Sequence, residues 1–229
     1  MRPGSSDQPR DPDRNCPLCP RLVAYREEQR ALEPDWHNAP VPTFGDTGAR
    51  LLVVGLAPGR TGANRTGRPF TGDYAGVLLY AALSAAGFAN GRFDARPDDG
   101  LVLTDAAVTN AVRCVPPQNK PTTAEIRACA PFLSATLAAL PQVEVVLALG
   151  RIAHDAVLRT IGARLSAHPF KHGAVHSTAC GLKVADSYHP SRYNVNTGVL
   201  TDAMFHAVLA NVRTLVDGTE DGSAAIAAR

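Results

Sequence analysis

Four of the five cysteines in this 229-residue chain have the spacing of a metal-ligand set. Cys16 and Cys19 are separated by two residues, which lets both thiolates reach one ion or cluster, and Cys114 and Cys129 follow much later. Thiolates bind zinc or an iron-sulphur cluster, and the spacing by itself fits either. We expect one structural centre that ties the N-terminus to the body of the domain. Cys180 has no close cysteine neighbour and is predicted to be an inert, buried thiol.

Three further segments combine residue types that suit ligand chemistry. GLAPGRTGANRTGRPFTGD, from residue 55, contains five glycines that permit close backbone approach and three arginines that supply positive charge. TNAVRC delivers Asn110 just before Cys114, and HPSRYN begins with His189. The glycine-rich segment fits neither the dinucleotide pattern G-x-G-x-x-G nor the P-loop, so a nucleotide cofactor is not favoured.

Apolar runs precede each of these segments and predict the elements that position them. Buried strands are predicted in LLVVGLA, LVLTDAAVTN, VEVVLALG and GLKVADSYH, and helices at about 74–87, 122–140, 151–161 and 199–217. A surface helix is predicted at 17–33. This alternation predicts an α/β fold, a three-layer α/β/α arrangement with a central four-stranded parallel sheet. In such sheets ligands bind at the carboxyl ends of the strands, where all three polar segments begin.

The composition limits the remaining possibilities. With 45% hydrophobic residues, we expect a single domain over residues 16–217, with disordered tails at 1–15 and 218–229. No apolar run approaches the roughly 20 residues that cross a membrane. The first residues contain no apolar signal-peptide core, so we expect an intracellular, cytoplasmic protein with reduced thiols. A net charge of +2 is too small to indicate nucleic-acid binding by itself, so any basic face must be local.

The order of these motifs resembles the uracil-DNA glycosylase superfamily, and specifically its family 5, the B-type enzymes with an iron-sulphur cluster. GLAPG, NRTGRPFTGD, TNAVRC and HPSRYN occur in order together with the four cysteines. The resemblance implies a monomeric, monofunctional enzyme that flips uracil out of DNA and hydrolyses the N-glycosidic bond to leave an abasic site. It also implies activity on hypoxanthine and ethenocytosine, and a 4Fe-4S cluster in preference to zinc.

The resemblance also assigns roles to individual residues. Other families carry an acidic or amide residue after the first glycine of GLAPG, but this chain has Leu56, which cannot activate water. That role passes to Asp73, and His189 is expected to stabilise the departing base. Further residues are expected to bind the base (Gly55, Ala57, Pro58, Gly59, Phe70 and Asn110), the DNA (Asn64, Arg65, Arg68, Ser191, Arg192 and Asn194) and the metal (Cys16, Cys19, Cys114 and Cys129).

Several of these residues also have a plain structural interpretation. Asp73 precedes a helical pattern and would make a good N-cap, Phe70 could be core packing, and Asn110 could be a turn residue. The histidines spaced by four at 168, 172 and 176 would share a helix face, but Pro169 and Gly173 favour a loop of structural or DNA-adjacent character.

Two other functions stay open on the residues alone. The first is a non-catalytic nucleic-acid-binding module with a structural four-cysteine metal site. The second is an iron-sulphur electron carrier, which would leave both polar loops unused.

Overall fold

The computed structural model describes residues 11–218 of the chain. The helices are α1 (Pro20–Leu32), α2 (Ala63–Thr66), α3 (Tyr74–Ala85), α4 (Thr123–Ala139), α5 (Arg151–Thr160), α6 (Arg192–Asn196) and α7 (Asp202–Asp217). The strands are β1 (Phe44–Gly45), β2 (Leu51–Gly55), β3 (Ala89–Asn90), β4 (Val102–Leu103), β5 (Ala106–Asn110), β6 (Val145–Leu149), β7 (Val175–Ser177) and β8 (Lys183–Ser187). Short 3-10 turns lie at Pro117–Asn119 and Leu165–Ala167.

The central sheet has six strands in the order β1-β5-β2-β6-β8-β7. Its middle is the predicted set of four parallel strands, β5, β2, β6 and β8. The prediction of four strands in all was too low, because β1 and β7 add antiparallel edges of only two and three residues. Segments that short have no hydrophobic alternation long enough to be recognised in a sequence.

The central sheet is covered on both faces, as predicted. Alternate side chains of a strand point to opposite faces, so Leu51 and Val53 join the core beneath α3 and α7, whereas Leu52 and Val54 join the core beneath α4 and α5. This burial on both sides explains why the four parallel strands are continuous apolar runs. The three-layer α/β/α fold is therefore confirmed.

The described chain is attached to the domain earlier than the predicted boundary at residue 16. The Oδ1 atom of Asp11 accepts hydrogen bonds from the Thr43 amide, at 2.8 Å, and from the Arg113 guanidinium, at 2.7 Å. At the other end, Gly218 takes the left-handed conformation that closes α7. The predicted disorder of residues 1–10 and 219–229 lies outside the described residues. Between residues 11 and 218, none of the helices is long and apolar enough to cross a membrane.

Candidate active site and metal centre

A cavity of about 330 Å³ opens at the carboxyl ends of the parallel strands. It is formed where the loops after β2, β5 and β8 meet, as the strand pattern predicted. Most of the predicted base-binding and catalytic residues line it, together with some that sequence reasoning did not single out. The lining residues are Leu56, Ala57, Pro58, Gly59, Ala63, Phe70, Asp73, Asn110, Asn119, His189 and Ser191.

Asn110, the last residue of β5, places an unpaired polar atom in this cavity. Its side chain is buried, and its Oδ1 atom has no hydrogen-bond partner among the described residues. Gly55 lies opposite Asn110 in the sheet, and a Cβ atom there would come within 2.5 Å of that oxygen and of the Phe70 ring. Glycine is therefore required at position 55. A buried acceptor without a partner is costly, and its position in a cavity indicates a ligand that donates to it.

Phe70 forms one wall of the cavity in a strained backbone conformation. Its φ angle is +54°, which is unfavourable for a bulky residue. The conformation depends on Gly76 in the first turn of α3, since a Cβ there would lie 1.7 Å from the Phe70 carbonyl oxygen. The Tyr80 hydroxyl donates to the adjacent Pro69 carbonyl at 2.7 Å and fixes this segment from below. Strain held by its surroundings is typical of functional sites.

Asp73 both caps α3 and faces the cavity. Its Oδ1 atom accepts from the Gly76 amide at 2.9 Å, which confirms the N-cap interpretation. Its Oδ2 atom lies beside the glycine backbone of the loop after β2, 3.4 Å from where a Cβ on Gly59 would stand. Burial raises the pKa of Asp73, although backbone N–H groups at the helix start partly oppose this. The structural and functional roles of this carboxyl group are therefore compatible.

His189 faces Phe70 across the cavity, with the two ring centres 6.2 Å apart. Burial lowers the pKa of His189 to about 4, so the imidazole is neutral at pH 7. The carbonyl oxygen of His189 accepts hydrogen bonds from the Ser191 amide and from Asn194 Nδ2, both at 2.8 Å, and these bonds fix the loop. A neutral imidazole held in this way can donate one hydrogen bond into the cavity.

Comparison with known proteins agrees with this geometry. Residues 42–213 match the model of the uracil DNA glycosylase superfamily. The chain belongs to this superfamily.

Several curated proteins that are similar to this chain are type-5 uracil-DNA glycosylases. A type-5 uracil-DNA glycosylase of Thermus thermophilus is 52% identical over 87% of this chain and 93% of its own length. Type-5 uracil-DNA glycosylases of Pyrobaculum aerophilum and Mycobacterium leprae are 46% and 43% identical, over 82% and 87% of this chain and 83% and 91% of their own lengths. These matches confirm the predicted resemblance to family 5.

Two of the residues predicted to grip DNA instead belong to the interior of this glycosylase-superfamily domain. Arg68 is buried, forms a two-pronged ion pair with Asp99 at 2.7 and 2.8 Å, and lies against three aromatic rings. Asn64 is also buried, and its Nδ2 atom donates to Asn38 at 2.8 Å. The side chains of Arg68 and Asn64, which were predicted to contact DNA, are therefore buried and paired within the domain, because a basic or amide residue in a glycine-rich loop does not reveal whether its side chain turns inward.

Some residues of the HPSRYN loop stabilise its conformation, and others are exposed at its surface. Ser191 caps α6 and also lines the cavity, and the Asn194 amide is used to hold the loop. Arg192 is exposed, with its guanidinium 5.7 Å from the centre of the Tyr74 ring. Arg65 is exposed as well. These two arginines remain available for phosphate.

Two residues at this site were missed. Asn119 lines the cavity from a short turn in which both it and Gln118 have positive φ angles. Tyr193, in the HPSRYN loop, is 74% exposed, which is unusual for a tyrosine so near a cavity. The unusual pair of φ angles has no signal in the sequence, whereas an aromatic residue in a polar loop could have been noticed.

Three histidines form hydrogen bonds with β8 and with the residue that follows it. Asp186 Oδ1 accepts from His154 Nδ1 at 2.7 Å, and Asp186 Oδ2 accepts from His176 Nε2 at 3.0 Å. The Tyr188 amide, next to His189, donates to His172 Nδ1 at 3.1 Å. Two of the three histidines spaced by four, His172 and His176, therefore fix the strand that delivers His189. The predicted loop holds for His172, whereas His176 lies in the edge strand β7.

The four cysteines converge on one pocket beneath α1. Cys16, Cys19, Cys114 and Cys129 all line it together with apolar residues. Burial, with a smaller contribution from the neighbouring cysteines, raises the pKa of Cys19 to about 11 and that of Cys114 to about 12. Without a metal Cys19 and Cys114 are therefore protonated thiols at pH 7, and as thiolates they would be repelled by the neighbouring cysteines. Four convergent sulphurs in an apolar pocket are a donor set for a soft metal centre.

Proposed function

We propose that this protein is a monofunctional uracil-DNA glycosylase of base excision repair. It takes a flipped-out uracil into the cavity at the strand ends, hydrolyses the N-glycosidic bond and leaves an abasic site. The observation that carries this proposal is the buried, unpaired Oδ1 atom of Asn110 in that cavity, with Phe70, Asp73 and His189 around it. The names of the similar type-5 uracil-DNA glycosylases agree with this reaction.

We assign base recognition to the Asn110 amide and the Phe70 ring, which both lie next to Gly55. The edge of uracil presents carbonyl oxygens and an N–H group, and the amide of Asn110 can accept from the N–H while donating to a carbonyl. The Phe70 ring offers a face on which the extruded base stacks, an interaction worth about 1–3 kcal/mol in single-strand binding proteins. Flipping the base costs roughly a few kcal/mol of unstacking, which such contacts offset.

Bond cleavage places opposite charges on the two products, and the cavity has a group for each. As the C1′–N1 bond breaks, its electron pair leaves with the base, and the neutral His189 imidazole donates to the base oxygen where negative charge develops. Asp73 orients water toward C1′ and stabilises the cationic sugar. The new C1′–O bond forms from that water, and its proton passes to the Asp73 carboxylate. Backbone N–H groups near Ala57 act as further donors to the base.

The exposed face around the cavity suits a DNA strand. We assign Arg65, Arg192 and Ser191 to phosphate binding beside the flipped nucleotide, because both arginines are exposed and Ser191 lines the cavity. Tyr193 projects from the loop that also carries His189, and we assign it the role of a wedge that fills the gap left in the base stack.

We further propose that the enzyme accepts hypoxanthine and ethenocytosine. Three of the residues that line the cavity on the side of the segment after β2, Ala57, Gly59 and Ala63, have small side chains. A wall of this kind leaves room for a base larger than uracil, and the cavity volume of about 330 Å³ is consistent with it.

We propose that the four cysteines bind a 4Fe-4S cluster with a structural role. A tetrahedral zinc ion with bonds of about 2.3 Å brings its sulphurs to within about 3.8 Å of one another. Among the described residues, no three cysteine sulphurs all lie within 4.8 Å of one another. The sulphurs are therefore more widely spaced than the ligands of a single zinc ion. Wider spacing around one pocket favours a cluster over a single ion. None of the steps described above requires electrons from this centre.

The activity is tested by single-turnover incubation with a duplex that contains one uracil, followed by alkali. Strand cleavage only after alkali is expected, since the enzyme should leave an intact strand with an abasic site. A non-catalytic binding module would give no alkali-labile sites, and this result would overturn the proposed function. The same assay with hypoxanthine and ethenocytosine, opposite each normal base and in single strands, measures the substrate range.

A matched pair of variants tests the assignment of Asp73. Asp73→Asn should lose most of the excision, whereas Asp98→Asn, the same change at a side chain that is 79% exposed, should retain it. An Asp73→Asn protein that folds normally and excises uracil at the wild-type rate would remove Asp73 from the mechanism. Iron and sulphide analysis tests the centre separately, and stoichiometric zinc without sulphide would overturn the cluster.

A further inference from the structure

Arg26 is a buried cation beside the cysteine pocket. It lies on the inner face of α1, one turn after Leu22, and is 2% exposed. Its two terminal nitrogens donate to the carbonyl oxygen of Cys16 at 3.3 and 3.2 Å, and one of them lies 3.8 Å from the sulphur of Cys114. The guanidinium therefore contacts two of the four proposed ligand residues.

The protein supplies little negative charge to this guanidinium. Arg26 forms an ion pair with Glu27, whose carboxylate lies 3.9 Å from Nε and whose side chain is 56% exposed to water. Among the described residues, the buried Nε atom has no hydrogen-bond partner. A buried charge is costly unless an anion lies beside it, and exposed ion pairs contribute little. The contacts with neutral groups leave the charge of Arg26 without a buried counterpart.

A four-thiolate centre would provide that counterpart. Four thiolates carry more negative charge than the metal ions they bind offset, so the centre as a whole is an anion in an apolar pocket. The donors on the protein side are already placed, because the Arg113 amide donates to Cys129 Sγ at 3.4 Å and Arg26 approaches Cys114. Hydrogen bonds and charges around the sulphurs of such centres control their stability and potential.

We propose that Arg26 is the charge partner of the four-cysteine centre, and that retention of the centre depends on its guanidinium. The inference rests on the proposed metal centre and adds to it a residue that is not a ligand. It distinguishes Arg26 from an arginine that merely packs α1 against the domain.

Arg30 supplies the matched control. It lies one turn further along α1, is 24% exposed, and also joins the helix to the chain around it, through the Asn38 carbonyl oxygen and Asn15. It has no recorded contact with a cysteine sulphur within residues 11–218. Arg30→Gln therefore removes the same charge and similar tethering contacts from the same helix, but none of the hydrogen bonds that Arg30 makes to Asn38, Asn15, Arg14 and Glu27 involves a cysteine residue.

The experiment compares wild-type protein, Arg26→Gln, Arg26→Lys and Arg30→Gln, all isolated with their bound metal. The variants are incubated with a chelator, and loss of the centre is followed by visible absorption and metal content. Arg26→Gln is expected to lose its centre about 10–100-fold faster than the wild type, the usual effect of removing an outer-shell partner. Arg30→Gln should match the wild type, and Arg26→Lys, which keeps the charge, should fall between.

A second measurement reports on charge alone. Reduction adds an electron to the centre, and a nearby cation stabilises the reduced state. The midpoint potential of Arg26→Gln should therefore be more negative than that of Arg30→Gln. If Arg26→Gln does not accumulate as folded protein, Arg26→Lys is compared with Arg30→Gln in both assays.

The outcomes separate the two proposals. A wild-type protein without bound metal overturns the centre and the role of Arg26 with it. A loaded wild type whose Arg26→Gln variant keeps its centre as long as Arg30→Gln does overturns the role of Arg26 alone. Equal losses in Arg26→Lys and Arg26→Gln would also overturn it, because charge would not be the cause. Uracil excision by the wild type is measured independently of all three results.

Discussion

The position of Arg68 leads to a prediction opposite to the one its sequence context suggests. Replacement by glutamine removes the positive charge and leaves Asp99, whose side chain is fully buried, without its ion-pair partner. It also removes the cation that lies 5.2–5.5 Å from the rings of Phe44, Tyr80 and Phe93. We expect Arg68→Gln to destabilise the fold and to leave the affinity of the folded protein for DNA phosphates unchanged.

The size of the effect follows from burial. Removal of one partner from a buried ion pair costs about 3–5 kcal/mol, because the remaining charge loses its counter-ion. Asp99 would keep only the hydrogen bonds from the Asp94 and Leu101 amides. For a domain of this size each kcal/mol lowers the melting temperature by about 2–4 °C, so the decrease should be roughly 6–20 °C. Arg68 holds the pKa of Asp99 well below its usual range. The pair therefore stabilises the protein above about pH 4, and this stabilisation is lost as the pH falls further, a dependence that should shrink in Arg68→Gln.

Two assays test this prediction. Urea unfolding at neutral pH measures the loss of stability. Binding of uncleaved DNA at several salt concentrations measures phosphate contacts, because each contact contributes about 0.9 to the slope of log affinity against log salt. Arg192→Ala is the comparison, and it should reduce that slope by about one contact without a change in stability. An Arg68→Gln protein of wild-type stability and reduced salt slope would return Arg68 to the DNA interface and refute the argument from burial.

Three other outcomes concern the cavity and its rim. Asn110→Ala should slow single-turnover excision of uracil about 10–100-fold, because loss of a buried hydrogen bond costs about 1–3 kcal/mol. An unchanged rate would show that Asn110 does not recognise the base. Burial raises the pKa of Asp73 and lowers that of His189 to about 4, so the excision rate should fall at acid pH as the Asp73 carboxylate takes up a proton. A step near pH 6.5 that disappears in His189→Gln would contradict the neutral state assigned to His189. Tyr193→Ala should slow excision from duplex DNA more than from single strands, because only the duplex has a stack to fill, and equal losses on both would argue against a wedge.

The sequence alone was sufficient for the central architecture. Four buried parallel strands are visible as apolar runs because both of their faces are covered, and the loops that follow them are visible as glycine-rich or polar interruptions. The edges β1 and β7 were missed because two or three residues carry no periodic pattern. Asp73 was recognised as a helix cap because an aspartate before an apolar helix is a local signal, whereas its candidate catalytic role came from the resemblance to family 5.

The sequence was not sufficient for the direction in which individual side chains point. Arg65 and Arg68 are three residues apart in the same loop and look equally available for DNA, yet Arg65 is exposed and Arg68 is buried. The difference depends on Asp99, which is distant in the sequence and lies in a segment without a recognisable pattern. Pairing over such separations is decided by tertiary packing, and composition and spacing do not report it.

The separation between the proposed metal centre and the proposed reaction also has a structural explanation. Only three residues lie between Asn110 at the cavity and Cys114 at the centre, and their backbone is held throughout. The amides of Ala111 and Val112 donate to Gly55 and Leu56 at 2.9 Å, and the Arg113 amide donates to Cys129. The same short segment thus fixes the loop after β2 on one side and meets the cysteine pocket on the other. The proposed centre would in this way determine how well the base pocket is formed without exchanging electrons with the substrate, because it would anchor the end of the segment that begins with Asn110.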